Sequence, residues 1–527
     1  MTDDTERRIV DRRTVLGTLG AGAIAAVGGC STRADAAGTT LRVGTIQPPV
    51  TLDPITARSV GSAQAIGKVF DGLYAYDAAA RVRPQIAAGP PTPDGSGAIR
   101  VEVADGARFQ NGAPVTATDV KYSVEAPLAE DTAAKAAVSP VESVEVVDDR
   151  TVRFVLAHPD PVLDEALTRP IVPKAVRNGD EEAFAEDPVG AGPFEVESFR
   201  EEKTVTLARW PEYRGDPAPA IDRLSIVSIE SPLTAMMSLR TGRTDVVEPV
   251  SARLRERMRD VTGASVAARE SYRSYYFGFN LNEGPTTDRT VREAIGHCID
   301  LDDAVEAFVA PLGRRQYGPV PPLVADDWAF PRGRWRSLTP DKDLARAGRL
   351  FAEAGTRGRQ LPILTSPDPR WTEFAERLAR GLRDAGQPAL VKSVPWKRYL
   401  DRSVSGSARD YAVFVGEVAG TPDPDSFLYP VVHENVEGLT NGVFYREESV
   451  MNALLSARRT VDRKRRTALY TSAIERLLRE RVLLPICSVE NSFAHARSVR
   501  GFRVAPIARL NPRVVGPDGA LTIEGKG

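Results

Sequence analysis

The chain contains little cysteine: Cys30, Cys298 and Cys487 are its three cysteines among 527 residues. A small fold held together by several disulfides is therefore excluded. Cys298 and Cys487 lie far from the N-terminus, and one bridge between them is possible outside the cytoplasm. We expect instead that both are buried free thiols.

Histidine is also scarce, and the familiar catalytic patterns are missing. The four histidines are His158, His297, His433 and His495, and no two stand at the i, i+4 spacing of a helical metal site. There is no Gly-x-Ser-x-Gly elbow and no phosphate-binding Gly-x-x-x-x-Gly-Lys loop. We expect no enzyme, no catalytic residue, no metal centre and no cofactor.

Neither charge dominates the chain. It has 69 Lys and Arg against 71 Asp and Glu, a formal net charge of −2, and no long tail of one sign. Nucleic-acid binding is therefore not expected. The densest basic run, Arg463 to Arg466, precedes apolar residues at helical spacing and indicates the first turn of an amphipathic helix.

No uncharged run is long enough to span a membrane. Residues 15–27 form such a run, shorter than the ~20 residues that a spanning helix needs. Arginines precede it and Val27-Gly28-Gly29-Cys30 follows, an arrangement typical of a lipoprotein export signal. We expect residues 1–29 to be removed, Cys30 to carry the lipid, and the remainder to lie outside the cytoplasm. Arg12-Arg13-Thr14-Val15-Leu16 also resembles a twin-arginine signal, with Val15 where Phe is usual.

The rest of the chain alternates short β-rich runs with helical stretches. Without the first 29 residues, 498 remain, enough for two or three domains. Residues 224–247 read as strand, helix and strand, with Ser231 as the N-cap, Pro232 at the first position and Gly242 at the end. The pattern predicts a mixed α/β protein with no internal repeat.

Other elements can be placed from the same kind of signal. Predicted strands include 39–46, 99–103, 141–156, 361–365, 389–394 and 411–415. Predicted helices include 63–74, one capped by Thr116 and Asp119 and ended by Pro127, helices within 288–309 and 341–355, and 371–385.

Two segments are predicted to cross between lobes. Residues 275–280 read as an extended segment, and residues from 483 onward return to β-type sequence. Such crossings would give a two-lobed body with a cleft, where ligands usually bind.

Short motifs spread over more than four hundred residues resemble the extracytoplasmic solute-binding proteins of the peptide and nickel class (family 5), which serve ABC importers. In chain order they are Leu52-Asp53-Pro54 at the end of 41–54, Phe70-Asp71-Gly72-Leu73, residues 105–112 and 114–120, Gly190-Ala191-Gly192-Pro193-Phe194, Gly242 with Asp245, residues 288–294, Asp300, and Pro422-Asp423-Pro424-Asp425. Most of them suit turns and bends rather than chemistry.

The resemblance implies a periplasmic-binding-protein-like α/β fold of two lobes. Residues 39–70, 195–274 and 485–527 would form the core of lobe I, residues 71–194 an extra subdomain of that lobe, and residues 275–484 lobe II. It also implies a monomeric receptor, anchored by lipid on Cys30 to the outer face of the cell membrane, that captures an oligopeptide or dipeptide and delivers it to an ABC permease.

The resemblance also points to the loop at Asp423 and Asp425, because the segment before it lines the ligand cleft in this family. Peptide-binding members carry a Trp six residues before the first Asp and an Asp three residues before it, which holds the peptide ammonium group. This chain has Glu417 and Gly420 there. A buried ammonium without its carboxylate costs about 3–5 kcal/mol, which is roughly two to four orders of magnitude in affinity. Either Glu417 replaces that carboxylate, or the ligand lacks the amine, or Glu417 is an exposed rim residue.

Aromatic and amide side chains provide the remaining cleft candidates. They are Tyr275, Phe277 and Asn280 in the crossing segment, and Trp396 and Tyr399 in the segment 394–400. Each could equally belong to the core.

Three alternatives to peptide import remain at this stage. Within the same fold the ligand could be a nickel chelate, with His433 as the one nearby histidine, or an oligosaccharide. The fold could also have lost transport and serve as an envelope lipoprotein that binds a cell-wall or lipid-linked component or regulates a membrane enzyme.

Overall fold

The structure is a computed structural model that describes residues 39–77, 79–95, 97–261, 263–516 and 519–524. The predicted export signal and Cys30 lie outside the described residues. The first described residue, Thr39, directly precedes the first strand, and its backbone N–H donates to Asp222 at 2.8 Å.

Strands run through the whole described chain. They are β1 (Thr40–Thr45), β2 (Tyr74–Tyr76), β3 (Val82–Pro84), β4 (Thr92–Pro93), β5 (Ile99–Glu102), β6 (Val141–Val146), β7 (Thr151–Leu156), β8 (Phe194–Arg200), β9 (Thr204–Arg209), β10 (Arg223–Ser228), β11 (Val246–Glu248), β12 (Ala264–Phe279), β13 (Gly313–Arg315), β14 (Leu361–Thr365), β15 (Ala389–Ser393), β16 (Val413–Ala419), β17 (Leu483–Ala496), β18 (Val499–Arg500), β19 (Val515–Gly516), β20 (Gly519–Ala520) and β21 (Thr522–Ile523).

Helices are concentrated between β12 and β17. The helices are α1 (Val60–Val69), α2 (Ala117–Ala129), α3 (Lys135–Val138), α4 (Leu163–Ala166), α5 (Lys174–Arg177), α6 (Glu181–Glu186), α7 (Pro232–Arg240), α8 (Arg255–Arg259), α9 (Arg289–Gly296), α10 (Leu301–Phe308), α11 (Pro322–Asp327), α12 (Arg332–Leu338), α13 (Leu344–Glu353), α14 (Pro369–Asp384), α15 (Trp396–Arg402), α16 (Asp425–Val432), α17 (Glu448–Arg458) and α18 (Arg463–Arg479).

One large mixed sheet connects the two halves of the molecule. Its strand order is β15-β14-β16-β12-β17-β11-β1-β10-β9-β8, with β13 paired to β17. The long antiparallel strands β12 and β17 lie in the middle and pair from Ala264 with Ala496 to Gly278 with Leu483. The predicted crossing segment is thus a central strand of the sheet. A smaller sheet has the order β4-β5-β7-β6.

The predicted strand, helix and strand unit is confirmed. β10 and β11 both pair parallel to β1, which lies between them, and α7 connects them. Ser231 accepts from the Thr234 N–H and Pro232 takes the first helical position, as the sequence predicts. The capping box of α2 is also present, with both Thr116–Asp119 hydrogen bonds formed.

The buried apolar side chains form separate cores on the two sides of the sheet's centre. The large core lies within residues 275–489. The terminal core joins residues 41–70 to residues 194–246 and 493–521, with Ala126, Val172 and Phe184 added. The small-sheet core lies within residues 73–191. Cys298 and Cys487 are buried and unbridged, as expected.

Several predicted boundaries were wrong. The helix predicted over 63–74 ends at Val69, because Phe70 turns into extended backbone and packs its ring 6.0 Å from Phe184. Pro127 does not end α2 but stands inside its last turn. Helices α11, α12, α15, α16 and α17 were missed. The single strand predicted over 141–156 is the pair β6 and β7, and the strand predicted over 411–415 is β16.

Candidate functional site

A cavity of about 350 Å³ lies where the large core faces the terminal core, and we name it the cleft cavity. Gln47, Pro48, Arg58 and residues 507–509 line it from the terminal-core side. From the other side it is lined by Tyr276, Trp371, Trp396, Tyr399, Phe414 and Glu417. Its volume is at the lower end of the ~300–1,000 Å³ common for small-molecule sites.

Aromatic rings make most of the large-core wall. Trp396 and Tyr399 lie one turn apart on α15, so both present to the same side. Trp371 of α14 meets them edge-on, with ring centroids 5.3 Å from Trp396 and 5.1 Å from Tyr399. The Tyr399 hydroxyl donates to the Val415 carbonyl at 2.7 Å, which fixes its ring. The two aromatic residues that the sequence offered as cleft candidates in this segment therefore line the cavity, on a helix that was not predicted.

Glu417 lines the cavity, but its charge is already matched. Arg273 lies diagonally across from it on β12, because Arg273 pairs with Ala419 in the register of β12 and β16. Arg273 Nε donates to Glu417 Oε1 at 2.5 Å, and both side chains are less than a tenth exposed. Burial acts to lower the pKa of Arg273, but the Glu417 carboxylate and Tyr275 together outweigh it and the pKa is raised.

Gln47 completes this arrangement from the opposite side. Its Nε2 donates to Glu417 Oε2 at 3.2 Å and its Oε1 accepts from Arg273 Nη2 at 3.0 Å. Glu417 is thus neither the exposed rim carboxylate that the sequence left open nor an unmatched partner for a ligand ammonium. A pair of opposite charges and an amide instead form a neutral polar patch in the wall.

Gly420 does not line the cavity. Its N–H donates to the Tyr272 carbonyl at 2.8 Å. A Cβ at this position would lie 2.4 Å from Ser426 Oγ and 2.6 Å from Phe427 Cζ. The packing leaves no space for the aspartate that peptide-binding members carry there.

Asp423 and Asp425 are not placed at the cavity either. Asp423 accepts two hydrogen bonds from Arg466, at 2.8 and 2.9 Å. Asp425 lies 3.2 Å from Arg458 Nε, and burial raises its pKa to about 6. The loop that the resemblance marked for ligand contacts therefore anchors the start of α16 to α17 and α18.

The crossing segment contributes a different residue from those predicted. Tyr275 and Phe277 are almost fully buried, whereas Tyr276 between them lines the cavity, because successive side chains of a strand point to opposite faces. Asn280 is also buried and accepts from the N–H groups of Asn282 and Glu283, so it holds the turn after β12.

Several residues of the site were missed from the sequence. Gln47, Arg58, Trp371 and Arg509 line the cavity, and Arg273 lies behind Glu417. Arg58 donates to Asp401 at 2.6 Å across the cavity mouth. No local motif marks these residues, which meet only through the sheet register.

The nickel alternative gains no support from His433. This histidine is buried, stacks on Tyr429 at 4.3 Å, and accepts from the Asn435 N–H. Burial, with the nearby Arg458 charge, lowers its pKa to about 4. Among the described residues no group of three His, Cys, Asp or Glu side chains could hold a metal ion.

A cavity between two separately packed parts that share a central sheet defines a two-lobed α/β binding protein. The chain belongs to the bacterial extracellular solute-binding proteins, family 5, whose model matches residues 81–438. Proteins of this family bind solutes outside the cytoplasm, so the chain is an extracytoplasmic binding protein and not an enzyme.

Individual relatives resemble it over most of their length. Protein XP55 of Streptomyces lividans is 28% identical over 459 residues, covering 81% of this chain and 79% of its own. The glutathione-binding protein GsiB of Salmonella typhimurium is 25% identical, with 86% and 90% covered. The structure of the oligopeptide-binding protein AppA of Bacillus subtilis, in complex with a nonapeptide, matches with a TM-score of 0.83 at 19% identity, with 93% and 99% covered.

No helix within the described ranges has the length and apolar character needed to cross a membrane. Cys30, where the sequence predicts a lipid anchor, lies outside those ranges.

Proposed function

We propose that this chain is the monomeric, lipid-anchored receptor of an ABC importer, which captures a short peptide in the cleft cavity and delivers it to a permease. Relatives named for glutathione and oligopeptide binding support the solute class. The modest cavity volume favours a short ligand over a long one.

The division into lobes is part of this proposal. Lobe I would comprise 39–70, 195–274 and 485–527, with 71–194 as its extra subdomain, and lobe II would be 275–484. The three cores support it, since each draws its buried residues mainly from one of these sets. Solute binding would then consist of closing lobe II on lobe I, with no chemistry on the ligand.

The observation that carries the choice of ligand is the pairing of Glu417 with Arg273. A carboxylate at 2.5 Å from a buried guanidinium is not available to a peptide ammonium group. We therefore propose that the peptide is held by its side chains on the aromatic wall and by its backbone polar groups. Its amino group would be blocked or would point away from the wall.

Matched peptides test this directly. A library of di- and tripeptides, each in free and N-acetylated form, is titrated into the purified protein by calorimetry. Acetylation should change the affinity of the best-binding sequence by less than about threefold. Recognition of the ammonium group would instead cost about 3–5 kcal/mol on acetylation, a loss of roughly two to four orders of magnitude.

A loss of that size would contradict the proposed ligand mode but not the receptor function. A protein that binds no member of the library would contradict peptide capture itself and favour the envelope lipoprotein without transport.

The lipid anchor and the export route need their own experiment. Cells expressing the full chain are labelled with a radioactive fatty acid and fractionated. We expect label and membrane association in the wild type, and neither in Cys30→Ser. Replacement of Arg12 and Arg13 by lysine should retain the protein in the cytoplasm if the twin-arginine route is used. A labelled Cys30→Ser protein would contradict the anchor.

A further inference from the structure

A second cavity of about 600 Å³ borders the cleft cavity, and we name it the cationic cavity. It lies against the last turn of α1, residues 168–170, the 213–217 loop and the segment from Arg509 to Gly516. Ala57, Ala63 and Arg509 line both cavities and form the wall between them.

Basic side chains surround this second cavity. Lys68 is 5% exposed and its Nζ donates to the Leu510 carbonyl at 3.3 Å. Arg169 Nη2 donates to the Pro54 carbonyl at 3.1 Å, and Arg509 Nη2 donates to Thr168 Oγ1 at 2.7 Å. Within the described part of the chain, none of these three cations has a carboxylate oxygen within 4.0 Å. Arg513 and Arg214 also line the cavity.

The acidic residues of the lining do not balance these charges. Asp77 already accepts from Arg81 at 2.9 Å and from Arg83 at 3.2 Å. Asp71 is buried, and this burial raises its pKa to about 7, so its carboxyl is only partly ionised at neutral pH. Asp216 is exposed at the surface, and so is Arg214, so neither of these two opposite charges decides the balance. The cavity is therefore positive.

The cations also act on one another. Burial lowers the pKa of Lys68 to about 8, with Glu248 opposing and the Arg513 charge adding to the effect. Burial and the Arg509 charge lower the pKa of Arg169 to about 10. The Arg513 charge thus acts on Lys68 and the Arg509 charge acts on Arg169, and like charges of this kind around one cavity favour an anion inside it.

We propose that the cationic cavity binds a compact multivalent oxyanion, either inorganic phosphate or sulfate itself or such a group carried by the solute in the cleft cavity. Guanidinium groups bind such oxyanions through paired hydrogen bonds, and the Lys68 ammonium adds a point charge. A separate ion in this cavity does not depend on the proposed peptide function, whereas an oxyanion carried by the solute rests on it.

Calorimetric titration with phosphate and with sulfate, at matched ionic strength in chloride, tests the site. We expect saturable binding in the wild type and at least tenfold weaker binding in Lys68→Met. Lys121→Met is the matched control, since Lys121 is partly exposed, lies 3.1 Å from Glu125 and lines neither cavity. The affinity of this variant for phosphate and sulfate should stay within twofold of the wild-type value.

Arg169→Gln provides a second variant, should Lys68→Met fail to fold, and it should also weaken binding at least tenfold. Absence of saturable phosphate and sulfate binding in the wild type would overturn the proposal. Equal weakening in Lys121→Met would overturn it as well.

Sulfate binding should be accompanied by proton uptake at pH 8. An anion raises the pKa of Lys68, and it raises the pKa values of Asp71 and of the neighbouring Glu248 in the same direction, so every nearby titratable group gains protons. Repeating the titration in buffers of different ionisation enthalpy measures this uptake. Proton release would contradict binding in this cavity.

A phosphoserine dipeptide distinguishes the two sources of the oxyanion. If the group belongs to the solute, the dipeptide should bind at least tenfold more tightly than phosphate, and both Lys68→Met and Trp396→Ala should weaken it. If the site takes a separate ion, the dipeptide should bind no more tightly than phosphate, and Trp396→Ala should leave phosphate binding unchanged. The proposed peptide function is tested separately, by peptides that carry no phosphate.

Discussion

Arg273 decides what Glu417 can do. A buried carboxylate with its guanidinium is a neutral unit, whereas the same carboxylate alone would attract a ligand ammonium. Arg273 and Glu417 are 144 residues apart in the chain, yet their opposite charges meet in the fold. Gln47 donates a further hydrogen bond to Glu417. In the proposed ligand mode, the amine preference of the cleft cavity is therefore set by Arg273, a residue outside its lining.

Replacing Arg273 by methionine should change that preference. Arg273→Met leaves the Glu417 carboxylate without its cation. The affinity for peptides with a free amino group, relative to their N-acetylated forms, should therefore rise at least tenfold. The variant should also unfold more easily, by about 3–5 kcal/mol, because one member of a buried ion pair is lost. Calorimetry with the peptide pairs and urea unfolding measure the two effects.

Arg42→Met is a suitable control, because Arg42 is 43% exposed and lies 3.7 Å from Asp245. Arg42→Met should lower the free energy of unfolding by less than about 1 kcal/mol. It should leave the ratio of the affinities for free and N-acetylated peptides unchanged. A folded Arg273→Met protein with an unchanged peptide ratio would contradict the assigned role of this residue.

Residues of the site differ in how far the sequence could identify them. Trp396 and Tyr399 were identified by residue type, as aromatic side chains suited to a pocket, whereas the helix that places both on one face was not predicted. Glu417 and Gly420 were located by their spacing from the Asp423 loop. That spacing gives their positions in the chain but not the side chains that they contact. Arg273 and Gln47 carry no signal at all, since they meet Glu417 only after β12, β16 and the segment after β1 have been brought together.

At the level of elements, helix starts were predicted better than helix ends. Thr116 and Ser231 cap helices through bonds to residues three positions away, so a short stretch of sequence contains the whole device. The end of α1 depends instead on Phe70 packing against Phe184, which lies more than a hundred residues away. The spacing of apolar residues along the chain cannot predict such a long-range contact.

The strand β12 shows the same limit in a different form. Its apolar run predicted an extended crossing segment correctly, but a run buried on both faces does not say which face meets a cavity. Tyr276, rather than Tyr275 or Phe277, lines the cleft cavity because the pairing with β16 fixes which face each side chain takes. The register, not the composition, selects the site residue.

For the whole molecule, contacts across the cleft cavity hold the two proposed lobes together. Some are exposed ion pairs, such as Arg58 with Asp401 at 2.6 Å and Lys397 with Glu201 at 2.9 Å. Others are buried: Trp396 Nε1 donates to the Ile46 carbonyl at 3.1 Å, and Gln47 Nε2 donates to Glu417 Oε2 at 3.2 Å. Exposed pairs typically contribute about 0.2–1 kcal/mol, whereas a buried acceptor left without its donor costs about 1–3 kcal/mol.

Closure should therefore depend on Trp396 far more than on the surface pairs. Trp396→Phe keeps an aromatic ring in the wall but removes the donor to Ile46, so the best-binding peptide should bind about 5- to 150-fold more weakly. Asp401→Asn removes an exposed partner of Arg58 and should change affinity by less than about fivefold. Small-angle scattering at saturating peptide should give the same radius of gyration for Asp401→Asn as for the wild type, and a larger one for Trp396→Phe at equal peptide concentration. If Asp401→Asn opened the molecule while Trp396→Phe did not, surface charge rather than the buried hydrogen bond would control closure.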